Sequence, residues 1–130
     1  MIVIDSNILI DYFNGEKTKE IEILEDLIDD DTAAVTSVVL METIATERNI
    51  SKYERIKKEA ERFSIIKTDH DCIMLAIEIF RACEGVGKTM KYLDCIIAAS
   101  CIQYDLPIFS NDSHFEIMAE VTGQLKIYNG

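Results

Sequence analysis

Short apolar runs alternate with longer amphipathic stretches along the chain, a pattern that predicts strands followed by helices. The runs that predict strands lie at residues 2–4, 33–35, 64–66, 106–109 and 125–128. One stretch between them, residues 18–29, places Ile21, Leu24, Leu27 and Ile28 on a single helical face. Strands that alternate with helices favour a parallel sheet with helices on both faces. The pattern therefore predicts an α/β fold.

Capping residues mark where most of the predicted helices begin. Asp5-Ser-Asn follows the first strand and Thr36-Ser37 follows the second, and both are typical helix starts. Capping boxes at Ser51–Glu54 and Thr68–Asp71 predict two further helix starts. The helix predicted over about 93–104 is apolar on almost every side, so we expect it to lie in the interior.

Length and composition suit a single domain, residues 1–130. The chain is 48% hydrophobic, enough to fill one core, whereas two separate cores would be cramped in 130 residues. The longest uncharged stretches, residues 32–41 and 95–104, are far shorter than the ~18 apolar residues that a membrane span needs. An acid at position 5, with no basic region before it, is not typical of a signal peptide. We therefore expect a cytoplasmic protein that does not enter a membrane.

Four cysteines fall inside the apolar helical patterns, and none forms a C-x-x-C pair: Cys72, Cys83, Cys95 and Cys101. Zinc ligation would need closer pairs, and the two histidines, His70 and His114, are not placed to complete such a site. The cysteines are therefore expected to be buried, reduced thiols.

The net charge of −11 argues against a protein that binds nucleic acid by bulk attraction. The charge is unevenly distributed, however. Residues 11–31 contain nine acids and two lysines, whereas residues 48–67 contain seven basic residues and three acids. A polyanion would approach the second region, although a solvated helix face explains the same pattern.

Two aspartates follow predicted strands. Asp5 comes directly after the first strand, and Asp112 lies three residues after the fourth. In open α/β sheets, sites form beyond the carboxyl ends of the strands. Each aspartate also has an ordinary interpretation as a helix cap, so neither decides the function alone.

Two further acids lie in apolar surroundings. The helical neighbours of Glu42 include Val38, Val39 and Ala45, which predicts that its carboxylate points along an apolar face. Such a position is costly without a cation or a donor, unless Glu42 lies at the edge of that face. Asp94 is the only charged residue from 92 to 104, although the first turn of a helix also suits an acid.

Convergence of the four acids would demand a cation. Four like charges cannot share a small pocket unaided, and Mg²⁺ or Mn²⁺ prefers oxygen ligands. One or two such ions can activate water and stabilise the leaving oxygen in phosphodiester cleavage. The residues therefore favour metal-assisted hydrolysis, and no Cys or His nucleophile with a credible partner is evident.

Four segments resemble PIN-domain ribonucleases, in particular VapC-like toxins of prokaryotic toxin–antitoxin pairs. They are Ile4-Asp5-Ser-Asn-Ile-Leu-Ile-Asp11, Thr36-Ser-Val-Val-Leu-Met-Glu42, Leu93-Asp94-Cys-Ile-Ile-Ala-Ala99 and Phe109-Ser-Asn-Asp-Ser-His-Phe115. They occur in the family's order and span almost the whole chain. Each segment alone is a weak match, and the four together are a strong one.

The resemblance implies a role for particular residues. Asp5, Glu42 and Asp94 correspond to the family's metal-binding acids, and Asp112 to a more variable fourth, for which Asn111 is an alternative. The polar residues expected to orient these ligands, each also a possible helix cap, are Asn7, Ser37 and Ser110. The residues expected to be structural, solvated or capping are His114, Asp11 and Asp71.

The resemblance also implies a fold, an activity and partners. The fold is a single PIN domain with a five-stranded parallel sheet in the order 3-2-1-4-5. The activity is endonucleolytic cleavage of RNA by metal-activated water, with Mg²⁺ or Mn²⁺ as cofactor. The partners are a second copy in a homodimer and a small VapB-like antitoxin that blocks the site.

Two other functions remain open from the sequence. One is a nuclease of the same fold that processes RNA or cuts flap DNA, although no zinc ribbon or helical arch is present. The other is a binding module with an idle pocket, which the presence of all four acids disfavours. A phosphatase or response regulator is weaker still, because no second aspartate lies two places after Asp5.

Overall fold

Each buried strand ends where a polar side chain caps a helix, and this alternation builds the fold. The computed structural model describes residues 1–130. Its strands are β1 (Ile2–Ile4), β2 (Ala33–Thr36), β3 (Ser64–Ile66) and β4 (Ile108–Phe109). Its helices are α1 (Ser6–Phe13), α2 (Lys19–Asp29), α3 (Ser37–Ile44), α4 (Ile50–Glu59), α5 (His70–Gly85), α6 (Tyr92–Gln103) and α7 (Ser113–Thr122), with a 3₁₀ turn at Ala60–Arg62. The α/β prediction is confirmed.

All strand pairs are parallel, and the order across the sheet is β3-β2-β1-β4. The chain leaves β1 toward β2 on one side and returns on the other side as β4. The strand order therefore reverses at the boundary between β1 and β4. The helices pack mainly in two groups, with α1 on α2 and α3, and α5 on α6 and α7.

The predicted fifth strand is reduced to a single bridge, so the sheet has four strands rather than five. Ile127 pairs with Ile108 in parallel, and this bridge lies beside β4, where the fifth strand was expected. Only Ile108 of the two-residue β4 pairs on this side, whereas both residues of β4 pair with β1. Just beyond β4, the Ser110 hydroxyl is bonded to Asp5.

Two predicted capping boxes are also wrong in detail. Helix α4 begins one residue before Ser51, and its cap is Asn49, whose side chain accepts a hydrogen bond from the Lys52 N–H. Helix α5 is capped by Asp69 rather than by Thr68. An Asn or Asp near a Ser or Thr competes for the same role, and the turn before the helix decides between them.

Helix α6 lies in the interior, as predicted, since every residue from Asp94 to Cys101 except Ile96 is buried. The four cysteines are free and buried, which also confirms the prediction. Burial raises the pKa of Cys95 to about 11 and that of Cys101 to about 12, so neither is a candidate nucleophile at neutral pH. No helix is both long and apolar enough to cross a membrane.

Candidate metal centre and active site

Asp5 serves as both a helix cap and a pocket residue, so its two interpretations do not exclude each other. Its residue is only 1% exposed, and its Oδ1 accepts a hydrogen bond of 2.7 Å from the Ser6 N–H. Its Oδ2 accepts a second bond of 2.7 Å from the Ser110 hydroxyl. The pKa of Asp5 is raised to about 6, mainly by burial and also by the charges of Asp94 and Asp112, while the hydrogen bonds from Ser110 and Ser6 oppose the rise.

Asp94 enters the pocket from the first turn of α6 and is 9% exposed. Its Oδ2 is buried and has no hydrogen-bond partner. Burial raises the pKa of Asp94, and the nearby His114 opposes that rise. A buried carboxylate oxygen without a partner is costly, so the Asp94 Oδ2 is suited to contact with a positive group.

Asp112 is the N-cap of α7, as one interpretation predicted, and it also lines the pocket. Its Oδ1 accepts a hydrogen bond of 2.9 Å from the His114 N–H. Its own N–H donates to the Ser110 Oγ at 2.9 Å. Ser110 therefore connects the acids at the ends of β1 and β4.

The four predicted acids line one pocket of about 250 Å³. The complete lining is Asp5, Ser6, Asn7, Glu42, Lys91, Tyr92, Leu93, Asp94 and Asp112. The pocket lies at the carboxyl ends of β1 and β4, at the reversal of strand order where α/β sheets bind ligands. Acids from four separate segments of the chain thus share one cavity.

Glu42 differs from its prediction, because its residue is exposed rather than held against an apolar face. Helix α3 buries Val39 and Thr43 instead, and the Thr43 hydroxyl donates to the Val39 carbonyl at 2.8 Å. Glu42 therefore does not carry the cost of a buried carboxylate that its helical neighbours predicted. It remains at the rim of the acidic pocket, and it also lines a neighbouring hollow between α1, α3 and α4.

The polar residues predicted to lie beside the acids differ in where their side chains lie. Ser110 bonds Asp5, as described above, and Asn7 lines the pocket from an exposed position. Ser37 does not orient an acid, because its hydroxyl donates to the Ile66 carbonyl at 3.3 Å and joins α3 to β3. Asn111 lines a different hollow beside Ile127. Asp112 rather than Asn111 therefore lines the pocket with the other three acids.

Two residues that the sequence reasoning did not select lie at the site. Lys91 is the one cationic side chain that lines the acidic pocket. The Nδ1 of His114 lies 3.5 Å from the Asp94 Oδ2 and 3.5 Å from the Asp112 Oδ1. The spacing Asp112-x-His114 at a helix start was the available signal for the histidine. For Lys91, three residues before Asp94, no sequence pattern indicates a place in the pocket.

The residues fit a divalent cation. Ligand atoms of Asp94, Asp112 and His114 all lie within 4.8 Å of one another. Neighbouring ligands about 2.1 Å from one ion in octahedral geometry lie about 3.0 Å apart. The observed separations of 3.5 Å are about half an ångström longer, so a small inward shift of the side chains would close them on an ion, and the unpartnered Asp94 Oδ2 offers an oxygen ligand.

A comparison with protein families identifies the domain, since the PIN domain model matches residues 2–121. The chain belongs to the PIN domain family. The matched range contains all four acids of the pocket. The resemblance predicted from four sequence segments is thereby confirmed, and so is the PIN-type fold.

Known relatives of this PIN domain include two ribonucleases. It is 28% identical over 129 residues to ribonuclease VapC1 of Methanocaldococcus jannaschii, covering 98% of this chain and 87% of the relative. It is 24% identical over 127 residues to VapC ribonuclease Mb1587 of Mycobacterium bovis, covering 94% of each chain.

Solved structures share the fold over nearly the whole PIN domain. VapBC2 from Rickettsia felis, bound to a DNA fragment from its promoter, aligns with a TM-score of 0.81 and 22% identity over 99% of this chain and 98% of that chain. FitAcB from Neisseria gonorrhoeae aligns with a TM-score of 0.77 and 18% identity, over 99% of this chain and 97% of that chain.

Ser110→Ala is expected to destabilise the PIN domain and to raise the pKa of Asp5 above about 6. The substitution removes the donor to Asp5 Oδ2 and the acceptor for the Asp112 N–H. A lost hydrogen bond to a charged group costs about 1.5–3 kcal/mol of unfolding free energy. Urea unfolding at pH 8 measures the loss, and carboxyl NMR titration measures the pKa. Ser113→Ala, at the exposed start of α7, is the control, and equal losses in both variants would contradict the assignment.

Proposed function

We propose that this PIN domain is a metal-dependent endoribonuclease and the toxin of a toxin–antitoxin pair. The observation that supports the proposal most strongly is the convergence of Asp5, Glu42, Asp94 and Asp112 on one pocket at the reversal of strand order. The ribonuclease relatives described above support the substrate class. The catalytic and metal-binding assignments for the four acids are part of the proposal.

Charge repulsion explains why the pocket needs a cation. Burial and like charges raise the pKa of Asp5 and that of Asp94, so ionising both acids is unfavourable without a compensating positive charge. One or two Mg²⁺ or Mn²⁺ ions would remove that penalty, because both ions accept carboxylate oxygens. Asp5, Asp94 and Asp112 would hold the ion, and the exposed Glu42 would complete its surroundings at the rim.

The chain's own residues can also position the substrate. A bound divalent cation supplies a nucleophilic water at neutral pH and stabilises charge on the leaving oxygen. Lys91, at the edge of the pocket, would attract a phosphate to the acidic site. Ser110 holds the Asp5 carboxylate in place. The exposed Asn7, which lines the pocket, would offer its amide to the RNA strand.

The proposal is tested by incubating the purified protein with a structured RNA, with and without Mg²⁺ or Mn²⁺. We expect endonucleolytic cleavage that EDTA stops and that added metal restores. Transfer RNA, ribosomal RNA and flap DNA are compared as substrates, because a flap nuclease would prefer the last. Absence of metal-dependent RNA cleavage, or cutting of flap DNA alone, would contradict the proposal.

The proposed homodimer has a suitable surface on α5 and the start of α6. Exposed apolar side chains form this surface: Ile73, Met74, Ile77, Tyr92 and Leu93. Ile73, Ile77 and Tyr92 line a hollow of about 390 Å³ whose lining also includes Arg81 and Glu84. In a two-fold dimer the same patch meets itself, so an arginine and a glutamate at its edge can pair across the interface.

Ile77→Lys is expected to convert the dimer into a monomer, because it places a charge in the middle of the apolar surface. Sedimentation equilibrium measures the association. Ile50→Lys on α4 is the matched control, since Ile50 is an exposed isoleucine away from this surface. A monomeric wild-type protein, or an unchanged dimer in Ile77→Lys, would contradict the interface.

The proposed antitoxin would have to place positive charge at the acidic pocket to block it. The neighbouring reading frame offers the direct test, since a short upstream gene with a DNA-binding segment is expected. Its product should co-purify with this chain and stop RNA cleavage. A neighbouring product that neither binds nor inhibits would contradict the toxin assignment, but not the nuclease.

A further inference from the structure

The imidazole of His114 lies against two acids of the pocket, Asp94 and Asp112. Its Nδ1 is buried and has no hydrogen-bond partner, and the same is true of the facing Asp94 Oδ2. The two atoms are 3.5 Å apart, which is longer than a good N–H···O hydrogen bond. Two buried polar atoms that face each other without bonding would each carry a desolvation cost.

The position of the imidazole follows from the start of α7. Asp112 caps the helix, and its Oδ1 accepts the N–H of His114, the second residue of α7. This bond places the ring beside the capping carboxylate, with Nδ1 3.5 Å from the Asp112 Oδ1. A ligand pair of one carboxylate and one imidazole is therefore held together by a single helix cap, and Asp94 faces it from α6.

We propose that the His114 Nδ1 is a ligand of the cation held by Asp94 and Asp112, and that this nitrogen makes the site select Mn²⁺ over Mg²⁺. The inference rests on the proposed metal-dependent function and adds a ligand and an ion preference to it. A cation among the three ligand atoms satisfies both unpartnered atoms at once.

The preference for a transition ion follows from ligand chemistry. Mg²⁺ takes oxygen ligands and requires near-ideal octahedral geometry. Imidazole nitrogen suits first-row transition ions, so replacing an oxygen ligand by a nitrogen favours them over Mg²⁺. Mn²⁺ also accepts the carboxylates of the same pocket. An all-carboxylate site would lack this discrimination.

The experiment uses Mn²⁺ as the probe and compares wild type, His114→Gln and His70→Gln. Pulsed EPR on bound Mn²⁺ detects a directly coordinated nitrogen, and calorimetric titrations give the affinities for Mn²⁺ and Mg²⁺. Glutamine removes the nitrogen ligand and offers an oxygen instead. His70, exposed at the start of α5, is the only other histidine and therefore the matched control. Circular dichroism checks that each variant is folded.

We expect nitrogen coupling in wild type and in His70→Gln, and its loss in His114→Gln. The Mn²⁺ affinity of His114→Gln should fall by about tenfold or more, while its Mg²⁺ affinity changes by less than about threefold. Bound Mn²⁺ without nitrogen coupling in wild type would overturn the inference and leave the nuclease proposal standing. Coupling that persists in His114→Gln would also overturn it. Failure of the wild type to bind either ion would overturn both proposals.

Discussion

Asp94→Asn is expected to lower the rate of RNA cleavage by about a thousandfold and to leave the fold intact. Asp94 supplies the buried, unpartnered Oδ2 that faces the pocket. The amide has the same shape but carries no charge, so the cation would be bound weakly and in the wrong place. A catalytic cation contributes several kcal/mol of transition-state stabilisation, and each 1.36 kcal/mol is tenfold in rate.

Initial rates at saturating metal and at limiting metal measure this loss, with circular dichroism as the test of folding. Asp71→Asn is the matched control, because Asp71 is also an acid in the first turn of a helix but is exposed on α5. The control should keep the wild-type rate. Cleavage by folded Asp94→Asn at that same rate would rule out a catalytic metal ligand at this position.

Much of the site was predictable because helix caps and strand ends have strong local signals. Asp5 and Asp112 each follow an apolar run, and the structure finds each one capping a helix and lining the pocket. The two roles coincide for a physical reason. Parallel strands end at one edge of the sheet, so the caps of the following helices gather at that edge.

Glu42 shows where local pattern fails. Its helical neighbours are apolar, but the rotation of α3 is set by the elements against which Val39 and Thr43 pack. Helix α3 contacts α1, α4 and α6 as well as β2, and such contacts are set by the tertiary fold. A helix of eight residues with apolar side chains on several sides does not specify which side is buried.

The fifth strand was predicted but is reduced to one bridge, and the contact between His114 and the acids was not predicted, for a related reason. Residues 125–128 have a strand-like pattern, yet a strand needs a partner, and β4 is only two residues long. His114 contacts Asp94, which lies twenty residues earlier on another helix. A local sequence pattern predicts neither the length of a neighbouring strand nor a contact between distant segments.

Asp5→Asn is expected to stabilise the metal-free protein by about 2–3 kcal/mol at pH 8 and to have little effect near pH 4. Burial raises the pKa of Asp5 from 3.8 to about 6 in the folded chain. Well below pH 3.8 the carboxyl is protonated in both the folded and the unfolded chain, and at pH 4 its partial ionisation in the unfolded chain changes the stability by less than about 1 kcal/mol. As the pH rises from about 4 to about 6, the folded chain loses the stability that the neutral form provides, because the charge is buried beside other acids. Asparagine remains neutral throughout.

The amide can also keep the local structure. Its oxygen can accept from the Ser6 N–H, its NH₂ can donate to the Ser110 hydroxyl, and Asn is as good an N-cap as Asp. Urea unfolding in EDTA at pH 4 and pH 8 measures the change in unfolding free energy. Asp26→Asn, at an exposed position of α2, is the control with an equal change of charge. Asp5→Asn should lose RNA cleavage under the conditions in which it gains stability. An equal effect at both pH values would contradict the raised pKa. A loss of stability at pH 8 would show that the Asp5 carboxylate is stabilising without a cation, and the repulsive pocket on which the metal site depends would not exist.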